Sequence, residues 1–107
     1  MILQKLVEKV SGKDFKGIKT TNGIEISGFT EHGLSRATER GVSNDAILDA
    51  IKRPLKINVV KIDEMGRQSQ RFIGKHAEVV INPKTGQIIS VNPTSSNKVA
   101  NLLGLIK

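Results

Sequence analysis

His32, Arg36 and Arg40 recur at every fourth position in the run FTEHGLSRATERGVSNDAILDAIKRP, residues 29–54, a spacing that stacks all three on one face of an α-helix. Such a stripe joins an imidazole that can titrate near neutral pH to planar guanidinium forks that match a phosphate. Cleavage of RNA without a metal calls for these types of group. One takes the proton of the 2′-OH, cationic donors stabilise the pentacoordinate phosphorane, and an acid serves the leaving 5′-oxygen. His32 can be the base or the acid, Arg36 can hold the phosphate, and Arg40 can extend the track to the next one. Far along the chain, Thr94 and Ser96 offer hydroxyls to the same phosphate. His76 and Glu78 share strand parity and would project from one sheet face, where they rank below His32. Arg71, Lys75 and Lys98 are surface cations with a secondary role in contacting RNA. Each group also has a plainer use. The stripe beside Glu31 and Glu39 can be an exposed ion-paired face, Thr94 to Ser96 can cap a helix, and His76 with Glu78 can be a solvated pair.

These residues need elements to position them. Thr30 is an N-cap for a helix that starts at Glu31, and Gly41 follows Arg40 where a C-terminal glycine belongs. Leu34 with Ala37 and Thr38 supply its only candidates for a buried face. Ser43 caps a second helix whose Ala46, Ile47, Ala50 and Ile51 form an apolar stripe ending before Pro54. Upstream, Ile2, Leu3, Leu6, Val7 and Val10 predict an amphipathic helix over residues 1–10. The Lys- and Gly-rich segment that follows, to Gly23, has no sustained period and reads as a loop. Ile24 and Ile26 predict a short edge or bridging strand broken by Gly28.

After Pro54 the period becomes strand-like. Ile57 to Ile62, Gln68 to Gly74, the apolar AEVVINP and finally QIISVNP are separated by turns at Asp63–Gly66, Lys75–His76 and Pro83–Gly86. Val99, Leu102, Leu103 and Ile106 predict a short C-terminal helix. Helices first and sheet second give an α+β class: N-terminal helices on one face of a four- to five-stranded antiparallel β-meander. At 107 residues the chain has room for one domain, 1–107, with residues 1–23 a helix and loop and 24–107 the core that carries the site.

Seventeen Lys and Arg against ten Asp and Glu leave a formal charge of +7, which favours a polyanionic partner. The chain has no cysteine and two histidines, so a disulfide framework and a thiolate metal site are excluded and a catalytic zinc site is disfavoured. No cofactor is expected. No apolar run approaches the ~20 residues of a membrane span, and no signal-peptide pattern is present. With three Phe and no Trp or Tyr, few platforms exist for stacking splayed bases, so binding is expected to rest on phosphate contacts rather than on an OB-fold or RRM surface.

The run HGLSRATERGVSNDAILDAIKRP, residues 32–54, followed by a meander containing VINPKTGQIISVNPTS, residues 80–95, resembles the C-terminal RNase toxin domains of bacterial polymorphic and contact-dependent growth inhibition toxins, of the barnase, EndoU, colicin and RelE-like superfold. The likeness covers residues 29–104, about three quarters of the chain. It implies a metal-independent endoribonuclease, a tRNase in particular, with His32 and Arg36 at the helix-borne catalytic positions and Thr94 as the strand-end hydroxyl. A sheet carboxylate, as in some relatives, falls on Glu78, with Glu64 or Glu39 open to the same role. It further implies an acidic immunity protein, a host translation factor that presents the substrate, delivery as the tail of a larger secreted or cell-surface precursor, and action in the cytoplasm of a target bacterium. A non-catalytic nucleic-acid-binding module and a basic face for an acidic protein are the competing readings.

Overall fold

The computed structural model describes residues 15–104. The helix expected over residues 1–10, the loop lysine Lys13 and the apolar Ile106 lie outside them. The described elements are β1 (Gly28–Phe29), α1 (Glu31–Glu39), α2 (Asn44–Lys52), β2 (Lys56–Ile57), β3 (Lys61–Ile62), β4 (Gln68–Ile73), β5 (Ala77–Ile81), β6 (Gln87–Pro93) and α3 (Ser96–Leu102). They form an α+β fold of three helices and a six-stranded, mostly antiparallel sheet in the order β1-β6-β5-β4-β2, with β3 paired to β4.

Both helix starts follow from side-chain capping. Thr30 Oγ1 accepts from the Gly33 N–H at 3.0 Å, and Ser43 Oγ accepts from the Ala46 N–H at 3.1 Å, each satisfying a donor that the helix leaves open. Gly41, at φ 63°, takes the left-handed step that ends α1 and lets the chain turn into α2. The buried face of α1 differs from expectation. Gly33 and Ala37 are buried, Leu34 is half-buried and Thr38 is exposed. The cause is close approach: a Cβ on Gly33 would stand 2.2 Å from the Ile88 carbonyl oxygen, so the helix lies almost backbone to backbone on β6.

The core lies between these helices and one sheet face. Ile47, Ala50 and Ile51 of α2 meet Phe72, Ala77, Val79 and Ile81, while Ala37 of α1 joins Ile88 and Val91. Alternation along β5 sends Ala77, Val79 and Ile81 into this core and Glu78 and Val80 to the second face. Each large apolar side chain so buried stabilises the fold by roughly 1.5–3 kcal/mol.

Two departures raise the strand number above the expected four to five. The run Ile57 to Ile62 is not one strand. Between the pairs Ile57–Phe72 and Lys61–Ser69 the outer strand has three residues where β4 has two, so it bulges at Asn58–Val60 and splits into β2 and β3. The strand expected at Ile24–Ile26 is reduced to one bridge, Glu25 to Lys19, while Gly28 and Phe29, placed by sequence at a break, pair in parallel with Gln87 and Ile88 of β6. The segment from Phe15 to Ile26 folds back on itself through Gly17 N–H to Ile26 O and Thr20 N–H to Ile24 O. It buries Phe15 and Ile26, and Phe15 meets Phe29 edge to face at 5.5 Å. Residues 15–23 are thereby packed with the core rather than apart from it. The apolar stripe expected to pack α3 is not buried: α3 has no buried residue, and Leu103 beyond it is 46% exposed.

Candidate functional site

The cationic stripe forms as its spacing requires. Arg36 Nε donates to His32 Nε2 at 3.3 Å, and Arg36 Nη1 reaches Glu39 Oε2 at 3.4 Å, so the two residues make an exposed pair on the outer face of α1. Glu39, one of the alternatives for an acidic role, is thus engaged with Arg36 and with the Ser35 hydroxyl. Arg40, one turn on, leaves the helix surface. Its Nη1 donates to the Val91 carbonyl at 3.0 Å and to Asn92 Oδ1, covering the stretch of β6 beyond its pairing with β1.

Asn92 is the register partner of Glu78 on β5, and Glu78 is the charged centre of the second face. Its residue is 5% exposed. A carboxylate so far from water needs partners, and it has two: Arg71 Nη1 at 2.9 Å from Oε1 and Lys98 Nζ at 2.6 Å from Oε2. Arg71 comes from β4, diagonal to Glu78 across the pairs Ile73–Glu78 and Arg71–Val80. Lys98 comes from α3, whose start is set by Ser95 accepting from the Lys98 N–H at 3.1 Å. The ion pair ties an otherwise unburied helix to the sheet. Glu64, the remaining alternative, is exposed in the β3–β4 turn.

At the end of the sheet where β5 starts and β6 stops, Lys75, His76, Thr94 and Ser96 surround a concavity of about 380 Å³ with Val99 and Ala100. The Thr94 N–H donates to the His76 carbonyl at 3.2 Å, which fixes the two residues side by side. Thr94 Oγ1 is buried with no hydrogen-bond partner among the described residues, a hydroxyl left open beside an exposed imidazole and an exposed ammonium. On its other side His76 borders a larger hollow of about 590 Å³ with Arg40, Asp45, Asp49 and Pro93.

The residues singled out by sequence therefore fall into two groups. Glu78, Arg71, Lys98, Thr94, Ser96 and Lys75 gather toward one end of the sheet, with Arg40 joined to them through Asn92. His32 and Arg36 do not. The N-terminus of α1 lies against Ile88, because the Thr30 N–H donates to the Ile88 carbonyl at 3.0 Å, and Thr94 is six residues further along β6, roughly 20 Å at the rise of a strand. One phosphate cannot be shared by His32 and Thr94 across that span. His76, which sequence ranked below His32, is the histidine that borders the same hollow as Thr94. Its signal was its position two residues before Glu78, in the sharp turn between two strands.

No helix among the described residues is long and apolar enough to cross a membrane. Among them, no group of three or more His, Asp or Glu is arranged to hold a metal ion. Comparison of the chain with protein-family models, with curated proteins and with solved structures returns no match.

Proposed function

We propose that this protein is an endoribonuclease that needs no metal, cutting RNA by attack of a 2′-OH on the adjacent phosphate. The observation that supports this best is the concavity at the sheet end, where an open, buried hydroxyl of Thr94 stands with His76, Lys75 and Ser96. A phosphate seated there meets the Ser96 hydroxyl and the Lys75 ammonium, and the Thr94 hydroxyl once that side chain turns outward, while the His76 imidazole takes the 2′-OH proton. The 2′-oxygen closes on phosphorus, the bond to the 5′-oxygen breaks, and Lys75 supplies the proton to that leaving oxygen. Glu78 is held at both oxygens, so its role is to position Arg71 and Lys98 as cationic support for the phosphorane. His32, Arg36 and Arg40 serve a flanking part of the RNA. A tRNA substrate, presentation by a host translation factor, an acidic immunity protein, and delivery within a larger secreted precursor into a target cell extend this reading by the resemblance to polymorphic-toxin RNases.

Incubating the protein with total RNA in EDTA tests it. Fragments ending in a 2′,3′-cyclic phosphate are expected, with loss of more than tenfold in rate for His76→Ala and for Thr94→Val, and a smaller loss for His32→Ala. Equal rates in all of these would place the chemistry elsewhere. A second reading, a non-catalytic RNA-binding module, is favoured by the closure of both Glu78 oxygens in ion pairs, and it requires RNA to be bound in EDTA and left intact.

A further inference from the structure

The second face of the sheet has a groove at the opposite end from Thr94. It holds about 550 Å³, and its lining includes Lys61, Arg67, Arg71, Val80 and Ile89. Its size falls in the ~300–1,000 Å³ range of small-ligand sites. One wall is the β3–β4 hairpin, which extends beyond the part of β4 that pairs with β5: Lys61 and Ile62 pair with Ser69 and Gln68, whereas β5 begins its pairing at Gln70. The floor comes from β5 and β6, and it is apolar at Val80 and Ile89. A bulge helps to make it. Val80 pairs with Ser90 and Ile81 with Ile88, so Ile89 is the extra residue on β6.

Around that floor the polar groups are of three kinds. Lys61, Arg67 and Arg71 supply cations, Asp63 supplies a carboxylate that holds Arg67 Nε at 2.8 Å and leaves its two Nη groups for a phosphate, and Ser69, Ser90 and Gln68 supply hydroxyl and amide groups that can both donate and accept. Arg71 belongs at once to this groove and to the Glu78 ion pair. From Ser90 to Thr94 is roughly 13 Å along β6 at the rise of a strand, which leaves room for a second nucleotide of the same chain. A base that reaches this floor has to be splayed out of a helix, as the bases of single strands and loops are.

We infer that this groove is a base-binding subsite: it seats an unpaired nucleotide that flanks the scissile phosphate, its phosphate on Lys61 and Arg67 and its base on the Val80–Ile89 floor, read by Ser69, Ser90 and Gln68. The inference rests on the proposed ribonuclease reading for the position of the scissile phosphate. The groove has no aromatic ring, so discrimination among bases comes from hydrogen bonds to their edges rather than from stacking strength. The favoured substrate is then a loop or single strand with a preferred base at this one position.

The test uses 2′-O-methyl oligoribonucleotides, which cannot be cleaved, in fluorescence anisotropy at fixed salt. An unpaired hexamer is expected to bind at least tenfold tighter than a duplex of the same length. Within a hexamer series varied at one position, one base should be preferred at least threefold. Ser90→Leu, which fills the groove, should weaken the hexamer at least fivefold. Ser69→Ala and Gln68→Ala, which leave its shape intact, should flatten the base preference, while Lys52→Ala, on the α2 side, should do neither. Equal binding of hexamer and duplex, or an unchanged base preference in both small variants, overturns the inference. Groove-dependent binding of hexamers together with intact natural RNA in EDTA would instead refute the ribonuclease reading and leave the subsite standing.

Discussion

In the proposed reading Glu78 acts through the two cations that it holds. Its carboxylate is buried, while its partners Arg71 and Lys98 keep 40% and 44% of their side chains exposed. Removing the charge leaves two cations facing each other across a neutral group. The cost falls below the ~3–5 kcal/mol of breaking a fully buried pair because water screens both partners, and about 1–2 kcal/mol is expected for Glu78→Gln. Urea denaturation measures this as a lower midpoint with an unchanged slope. The kinetic signature separates positioning from proton transfer. If Glu78 places cations for the phosphorane, Glu78→Gln lowers kcat severalfold and leaves its pH profile in place; loss of an ionisation from that profile would instead make Glu78 the base.

At the scale of elements, the β3–β4 hairpin depends on the turn that Asp63 organises. Its Oδ1 accepts from the N–H groups of Met65 and Arg67, both at 2.9 Å, and Oδ2 meets Arg67 Nε at 2.8 Å. The Arg67 N–H above all, with the Arg67 guanidinium and the Met65 N–H, holds the Asp63 carboxyl below its ordinary value of 3.8 despite partial desolvation. A depressed carboxylate stabilises the turn at neutral pH, and that contribution is lost as pH falls through the lowered value. An NMR titration should therefore give Asp63 a midpoint under 3.8. Arg67→Ala should raise it only part of the way, since the backbone donors stay; a midpoint at or above the ordinary value would show that the turn is not closed in solution. This turn was legible in sequence because Asp, Glu and Gly at those positions demand it, as were both helix caps and the β4–β5–β6 meander. What sequence did not reveal depends on contacts between distant segments. The parallel pairing of Gly28–Phe29 with β6, the bulge that splits Ile57 to Ile62, and the burial of Phe15 are set by neighbours, not by local period. The site followed the same division. The His32–Arg36 pair is a local i, i+4 feature and was found, whereas the meeting of His76 with Thr94 needs β5 and β6 to lie side by side.

For the whole molecule the question is whether a charge of +7 acts as a diffuse field or as placed contacts. The cations are unevenly used. Arg53, Arg67, Arg71 and Lys98 have carboxylate partners, while Lys75 and Lys61 border hollows without forming an ion pair among the described residues. Each phosphate neutralised by a bound strand releases counterions, and for a single strand the logarithm of the association constant falls with the logarithm of salt by about 0.7 per contact. A strand crossing the second face from Lys75 to Lys61 and Arg67 makes a few such contacts, so a slope of about −2 to −3 is expected with an uncleavable oligonucleotide. Lys75→Ala should then reduce the slope by about 0.7, because it deletes one placed contact. Lys52→Ala should lower affinity slightly and leave the slope unchanged, since an exposed charge on the α2 side acts only through a screened field. Anisotropy titrations of both variants across an ionic-strength series distinguish the cases. Equal changes of slope for Lys75 and Lys52 would mean that RNA is held by net charge wherever it lands, and neither the sheet-end concavity nor the groove would then direct it.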